Sequence, residues 1–160
     1  MGLTTEQLVA RKIGGSDAAV VMHGEHFKST VHSLWLEKTG QKEPEDLDKI
    51  LRVRMGSFTE ALNVRWYEEQ TGHTVTIDER THVHSTSYEF ATCHLDGLTN
   101  ARKAKATGAQ KGSTEPLGVF EAKHTNAWHK EEAATALYYP QLQHNMAVTG
   151  RFYAHLSVFY

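Results

Sequence analysis

The order of periodic segments predicts an α/β protein in which helices flank a central mixed β-sheet. Three observations carry that prediction. Helix-period segments fill the first 72 residues, short alternating segments follow to residue 123, and a helical pair with a last apolar strand closes the chain. At 160 residues the chain is long enough for one domain with a real core, and 1–160 reads as that single domain.

Residues 4–12 read as a short helix ending in Arg11 and Lys12. Ile13-Gly14-Gly15-Ser16-Asp17 follows, then an Ala/Val-rich helix to Met22 with Ser16 as its N-cap. Two glycines and a serine also leave free backbone N–H groups, a natural anion site, and both readings use the same helix end. Ser29 or Thr30 caps a helix through Val31, Leu34, Trp35 and Lys38 that Gly40 stops. Residues 41–46 are polar, contain Pro44 and form a loop.

A helical pattern through Leu47, Ile50, Leu51 and Arg54 is expected to break at Gly56. Ser57-Phe58-Thr59-Glu60 then starts the next helix, to Gly72, as a capping box in which Glu60 has a structural task. Glu60 also shares a face with Val64 and Tyr67 while Phe58, Leu62 and Trp66 line another, so this helix is apolar on two sides. A carboxylate on a buried face needs a partner, which a metal site would supply, but the local pattern favours the cap.

Residues 73–78 and 79–84 are extended, with Thr, Val and Ile alternating. His82 and His84 share a strand face there. With one cysteine and no H-x₃-H or HExxH pattern they read as an exposed edge rather than zinc ligands. A strand over 88–98 carries Asp96 before a turn-prone Gly97, and 99–115 is a polar, basic hairpin loop whose Arg102, Lys103, Lys105 and Lys111 read as solvated. After the strand Val119-Phe120-Glu121-Ala122-Lys123, residues 126–136 are helical, and Pro140 opens a second segment that Gly150 closes. Gln141, one turn from Asn145, has two readings, pointing toward the site or lying on the surface, and the surface is the default. Residues 151–160 alternate Phe152, Ala154, Leu156, Val158 and Tyr160 as a strand, which further chain or an oligomer contact is expected to cover.

Composition excludes several classes. With 39% apolar and 22% charged residues the chain is globular rather than disordered, and no run approaches the ~20 apolar residues of a membrane span. No signal peptide opens it, and the single Cys93 forms no internal disulfide, which fits a reducing cytoplasm. A net charge of −2 gives no overall field for nucleic acid, though a local basic groove is compatible with it.

The chemistry gathers at the 119–123 strand. Alternation puts Glu121 and Lys123 on one face, about 7 Å apart, and Phe120 and Ala122 on the other. If the two strands form a hairpin, Asp96 and Glu121 converge on one hard cation with Lys123 beside them, as in sites that hold Mg²⁺ by one or two carboxylates. A lysine there can orient a water or balance charge on a phosphorane-like transition state. An Asp-Gly turn and an exposed Glu-x-Lys ion pair are the ordinary alternatives. Against them, the strand is mostly apolar, and unpaired charge in such a strand is costly.

Taken in order, Ile13-Gly14-Gly15-Ser16-Asp17, Leu34-Trp35-Leu36-Glu37-Lys38-Thr39-Gly40, Met55-Gly56 with Glu60, and Tyr67 with Thr71-Gly72 form the first half of a family pattern. Asp96-Gly97, Glu121-Ala122-Lys123, Tyr139-Pro140-Gln141-Leu142-Gln143 and Met146-Ala147-Val148-Thr149-Gly150 complete it. The set resembles the YqaJ-like viral recombinase family, relatives of phage lambda exonuclease within the PD-(D/E)XK restriction-endonuclease-like fold. The lambda-type enzymes are longer at the C-terminus.

The resemblance implies Asp96 and Glu121 as metal-binding carboxylates, the Ala122 carbonyl as a further ligand, and Lys123 at the attacking water. It implies Glu60 as the helix carboxylate completing the metal shell and Gln141 at the site edge. Ser16, with Arg11 and a residue such as His129 or Lys130, would match the family's pocket for a 5′-terminal phosphate. The function implied is a Mg²⁺-dependent 5′→3′ exonuclease on double-stranded DNA ends, with one or two ions and Mn²⁺ as a substitute. It would leave 3′ single strands for a single-strand annealing protein, in a cell infected by phage or in its bacterial host, and family members can be ring-shaped trimers. A restriction-like or structure-specific endonuclease and a catalytically silent DNA-binding module are the other readings.

Overall fold

The computed structural model describes residues 11–26, 29–77, 82–100, 118–125 and 131–160. In chain order these form helix α1 (Gly15–His23), strands β1 (Glu25–His26) and β2 (Ser29–Thr30), helix α2 (Val31–Lys38), a 3₁₀ turn (Leu47–Lys49) and helix α3 (Leu51–Thr71). Strands β3 (Thr74–Thr76), β4 (His82–His84), β5 (Thr92–His94), β6 (Gly97–Asn100) and β7 (Gly118–His124) follow, then helix α4 (Glu131–Thr149) and strand β8 (Ala154–Phe159).

The main sheet has the order β3-β6-β7-β8. β6 runs antiparallel to both β3 and β7, whereas β7 and β8 are parallel, so the sheet is mixed, as the sequence predicts. The parallel pair is joined through α4, the crossover that parallel neighbours require. β7 is central and apolar at its start because helices cover both its faces. Val119 packs with Ala91, Cys93, Leu95 and Val148 on the α4 side, and Phe120 with Val64 and Tyr67 of α3 on the other.

Several local expectations give way to tertiary structure. α3 runs unbroken through Gly56, so Ser57 caps nothing. Its hydroxyl lies 3.4 Å from the Val53 carbonyl and that of Thr59 donates to Met55 at 2.8 Å, as hydroxyls inside a helix do. The cost of an interior glycine, about 1 kcal/mol, is small beside the burial of Val64 and Tyr67. Likewise α4 is one helix through Pro140. Its buried face of Ala134, Tyr138, Leu142, Asn145 and Val148 outweighs the missing proline N–H.

At α1 the N-cap is Gly14, not Ser16. Asp17 reaches back to accept from the Gly14 N–H at 2.8 Å, leaving Ser16 exposed in the first turn. Arg11 and Lys12 lie in a turn rather than a helix, and Ile13 bridges Ala91 in parallel, which fixes where α1 begins.

The expected strand over 88–98 is two short strands, β5 and β6, with Asp96 in the bend between them. Gly97 therefore opens β6 instead of turning the chain. It pairs with Phe120, and a Cβ there would come 2.5 Å from Val75 Cγ1, so any other residue would force Val75 of β3 to move. The 99–115 loop and the start of the 126–136 helix lie largely outside the described residues, as do Arg102, Lys103, Lys105, Lys111, His129 and Lys130. No helix among the described residues is long and apolar enough to cross a membrane.

Candidate active site

The alternation of β7 sends Glu121 toward α4, into an environment a carboxylate ordinarily avoids. It is 1% exposed, yet nearly every donor capacity around it is used. Lys123, two residues on and on the same face, places Nζ 2.6 Å from Oε1. Gln141, projected from α4, donates its amide to the same Oε1, and Asn145, one turn further, donates Nδ2 to Oε2 at 3.1 Å. Gln141 is thus not a surface glutamine.

Asp96 approaches from the β5–β6 bend, where its Oδ2 accepts the Ala122 backbone N–H at 2.8 Å. That bond anchors one carboxylate to the strand that carries the other. Glu60, on α3, lines a cleft with Asp96, Ala122, Lys123, Tyr138, Gln141 and Ser16. A continuous α3 positions Glu60 at the end of β7, where a helix starting at Ser57 would have spent it on a cap.

The electrostatics of this group are strained toward neutrality. Burial pushes the Glu121 carboxyl up to about 7; Lys123 and the Asn145 amide oppose the rise and Asp96 adds to it. Burial also raises Asp96, against the pull of Lys123 and the Ala122 N–H. Glu60 is raised by burial and then by Asp96, with Lys123 opposing. Burial alone would depress the Lys123 ammonium, but Glu121 first, then Asp96 and Tyr138, hold it above the ordinary lysine value. Its Nζ lies 5.4 Å from the centre of the Tyr138 ring.

Asp96 repels both Glu60, with which it lines the cleft, and the buried Glu121 behind it, and carboxylate oxygens are the donor type that a hard divalent cation takes. An ion of that class would offset the burial and repulsion that now fall on Glu121. Among the described residues no three acidic, imidazole or thiol groups already stand at ligand spacing, and Lys123 supplies the positive charge within the cluster. Besides charge balance, Lys123 has the reach and the protonation to hold a water or an anionic oxygen in the cleft.

The residues expected to hold a 5′-phosphate are not gathered to the same degree. Ser16 lines the cleft, but the Gly14 donor beside it is taken by Asp17, which pairs with Lys38 at 2.6 Å. Arg11 lies instead against Gly40 at the end of α2. His129 is outside the described residues. Sequence reasoning missed Asn145 and Tyr138. The available signal was their spacing from Gln141, which at i−3 and i+4 puts all three on one helix face.

Comparisons with known proteins fit this architecture. Residues 6–152 match the model of the YqaJ-like viral recombinase domain. The uncharacterized protein YqaJ of Bacillus subtilis (strain 168) is 29% identical over 152 residues, which cover 91% of this chain and 42% of that protein. The chain therefore spans less than half the length of this relative. Among solved structures, the alkaline exonuclease LHK-Exo from Laribacter hongkongensis superposes with a TM-score of 0.63 at 19% identity, over 98% of this chain and 74% of that one. LHK-Exo in complex with dAMP gives a TM-score of 0.64 at 22% identity, with the same coverage. At such identities the likeness is one of fold, and the fold is the PD-(D/E)XK type with a mixed sheet between helices. With the family pattern matched along nearly its whole length, the chain belongs to the YqaJ-like viral recombinase domain family.

Proposed function

We propose that residues 1–160 form a single nuclease domain, a Mg²⁺-dependent deoxyribonuclease acting as a 5′→3′ exonuclease on double-stranded ends. The observation that carries this reading is the meeting at one end of β7 of Glu60, Asp96 and Lys123, which line an open cleft, with the buried Glu121 that Lys123 pairs with. Membership of a viral recombinase family and the fold of an alkaline exonuclease support it. The 3′ single strands left behind would pass to an annealing protein, and a trimeric ring would give processivity.

In this reading Asp96, Glu121, Glu60 and the Ala122 carbonyl would hold one or two divalent ions, Mg²⁺ or Mn²⁺. When bound, the metal supplies charge against the developing phosphorane and acidifies the attacking water. Lys123 orients that water through its ammonium, whose proton Glu121 and Asp96 keep in place. Gln141 holds the Glu121 carboxylate from the side away from the strand. Ser16 meets the terminal phosphate at the cleft wall, with Arg11 and His129 as further phosphate contacts.

The test uses linear duplexes with and without a 5′ phosphate beside a covalently closed circle, with Mg²⁺. Digestion of the phosphorylated linear duplex alone is the expected result. Digestion of the circle would replace the exonuclease with an endonuclease. Equal rates on both linear duplexes would remove Ser16 from the mechanism, and retention of DNA without any cleavage would leave a binding module.

A further inference from the structure

Asn145 is fully buried in α4, and its side chain is divided in its loyalties. Nδ2 donates to Glu121 Oε2, while Oδ1 has no hydrogen-bond partner. That oxygen faces Gly15, where an added Cβ would lie only 2.5 Å from it. An apolar side chain would occupy this space without an orphaned carbonyl, so packing alone does not account for an amide here. The orphaned end is tolerated for the sake of the bonded one.

The bonded end does something no other described group does. Oε1 of Glu121 receives two donors, Lys123 Nζ and Gln141 Nε2, whereas Asn145 is the described donor to Oε2. Each carboxylate oxygen carries two lone pairs, so Oε2 keeps one uncommitted. The terminal torsion of a glutamate is soft, and a carboxylate held only at Oε1 would swing about it. Gly15 backs the amide from the far side, and the Ile13–Ala91 bridge holds Gly15 in place.

We infer that Asn145 is a positioning residue that fixes the Glu121 carboxylate for a divalent cation through its amide on Oε2, with Gly15 as the backstop for that amide. The inference rests on the nuclease reading above, and its test separates the two. Mn²⁺ binding is measured by calorimetry, and Mg²⁺-dependent cleavage of a linear duplex by initial rates, for the intact chain and for Asn145→Leu and Glu121→Gln.

Asn145→Leu is expected to weaken Mn²⁺ about tenfold and to raise half-saturating Mg²⁺ by the same factor. At saturating Mg²⁺ its kcat should recover to within about threefold, with KM for DNA unchanged. Glu121→Gln should lose the calorimetric signal. If Asn145→Leu binds Mn²⁺ and responds to Mg²⁺ like the parent, Asn145 is a space-filler and the inference falls while the nuclease reading stands. If parent and Glu121→Gln titrate alike, the carboxylate site itself falls and the inference with it.

Should the leucine variant fail to fold, the side-chain amide resonances of Asn145 in the unmodified protein decide. They should shift on adding Mg²⁺, and not in Glu121→Gln. Resonances indifferent to Mg²⁺ in the parent would overturn the inference.

Discussion

The two faces of β7 solve the same problem of buried polarity in opposite ways. Toward α3, below Phe120, the Tyr67 hydroxyl lies 2.8 Å from Nδ1 of both His73 and His155. Asn63 donates to the Lys123 and Ser157 carbonyls, and Thr59 lies 3.0 Å from His124 Nδ1. These groups are paired with one another, and burial lowers the pKa of His155, with His73 adding to the effect. Toward α4 the strand carries charge at the same depth, and burial drives Glu121 toward protonation. One face is bonded internally, apart from the unpartnered Asn63 Oδ1, and stabilises the fold. The other is held in a state that folding alone does not favour, which is how a site differs from a core.

The sharpest way to break this contrast is on the charged face. Asp96→Asn or Lys123→Ala should lower cleavage of a linear duplex by roughly a thousandfold or more while leaving the melting temperature within a few degrees. An active variant would remove the assignment. On the other face the effects reverse. Phe120→Ala, at a position with no exposed surface, should cost about 3–5 kcal/mol in denaturant unfolding, through the cavity left under Tyr67. Tyr67→Phe should cost about 1–2 kcal/mol by stripping two imidazoles of their partner, with Mn²⁺ affinity unchanged.

Titration sharpens the comparison further. Glu121 has a folded pKa of about 7 against 4.5 ordinarily, so its contribution to stability is present below about pH 4.5 and is lost as pH rises through 7. His155, lowered, has the opposite sign; its contribution is present above 6.5 and lost as pH falls through its depressed value. Melting temperatures of metal-free protein between pH 4 and 8 should therefore lose their alkaline decline in Glu121→Gln and keep their acid decline. The smallest effect belongs to neither face. Gly56→Ala, in mid-helix with nothing within 4 Å of the added Cβ, should raise stability by up to about 1 kcal/mol.

Much of this was legible in the chain, and for definite reasons. Period-2 alternation alone puts Glu121 and Lys123 on one face of a strand, because a strand has no other way to place its side chains. The apolar spacing of 151–160 likewise marks a strand, and the mixed sheet follows from the order of elements. Local signals failed where a long-range gain exceeded a local cost. Gly56 and Pro140 are breakers worth about 1 and 3 kcal/mol, and each sits in a helix whose buried face is worth more. Ser57 looked like a cap because capping rules see four residues and not the helix that continues before it, and Ser16 lost the cap to Gly14, whose N–H Asp17 takes.

What only the tertiary structure decided is the company Glu121 keeps. Asp96 lies in a bend, Glu60 in the middle of α3, and Gln141 and Asn145 on a helix that crosses over β7 to reach β8. Their meeting depends on strand order and register, which are settled by packing over the whole sheet. Residue types and their periodicity determined which side chains could act and which way they would point. The contacts among groups far apart in the sequence arose from the burial of Val119 and Phe120 on opposite faces, since that burial fixes the strand around which the charged groups assemble.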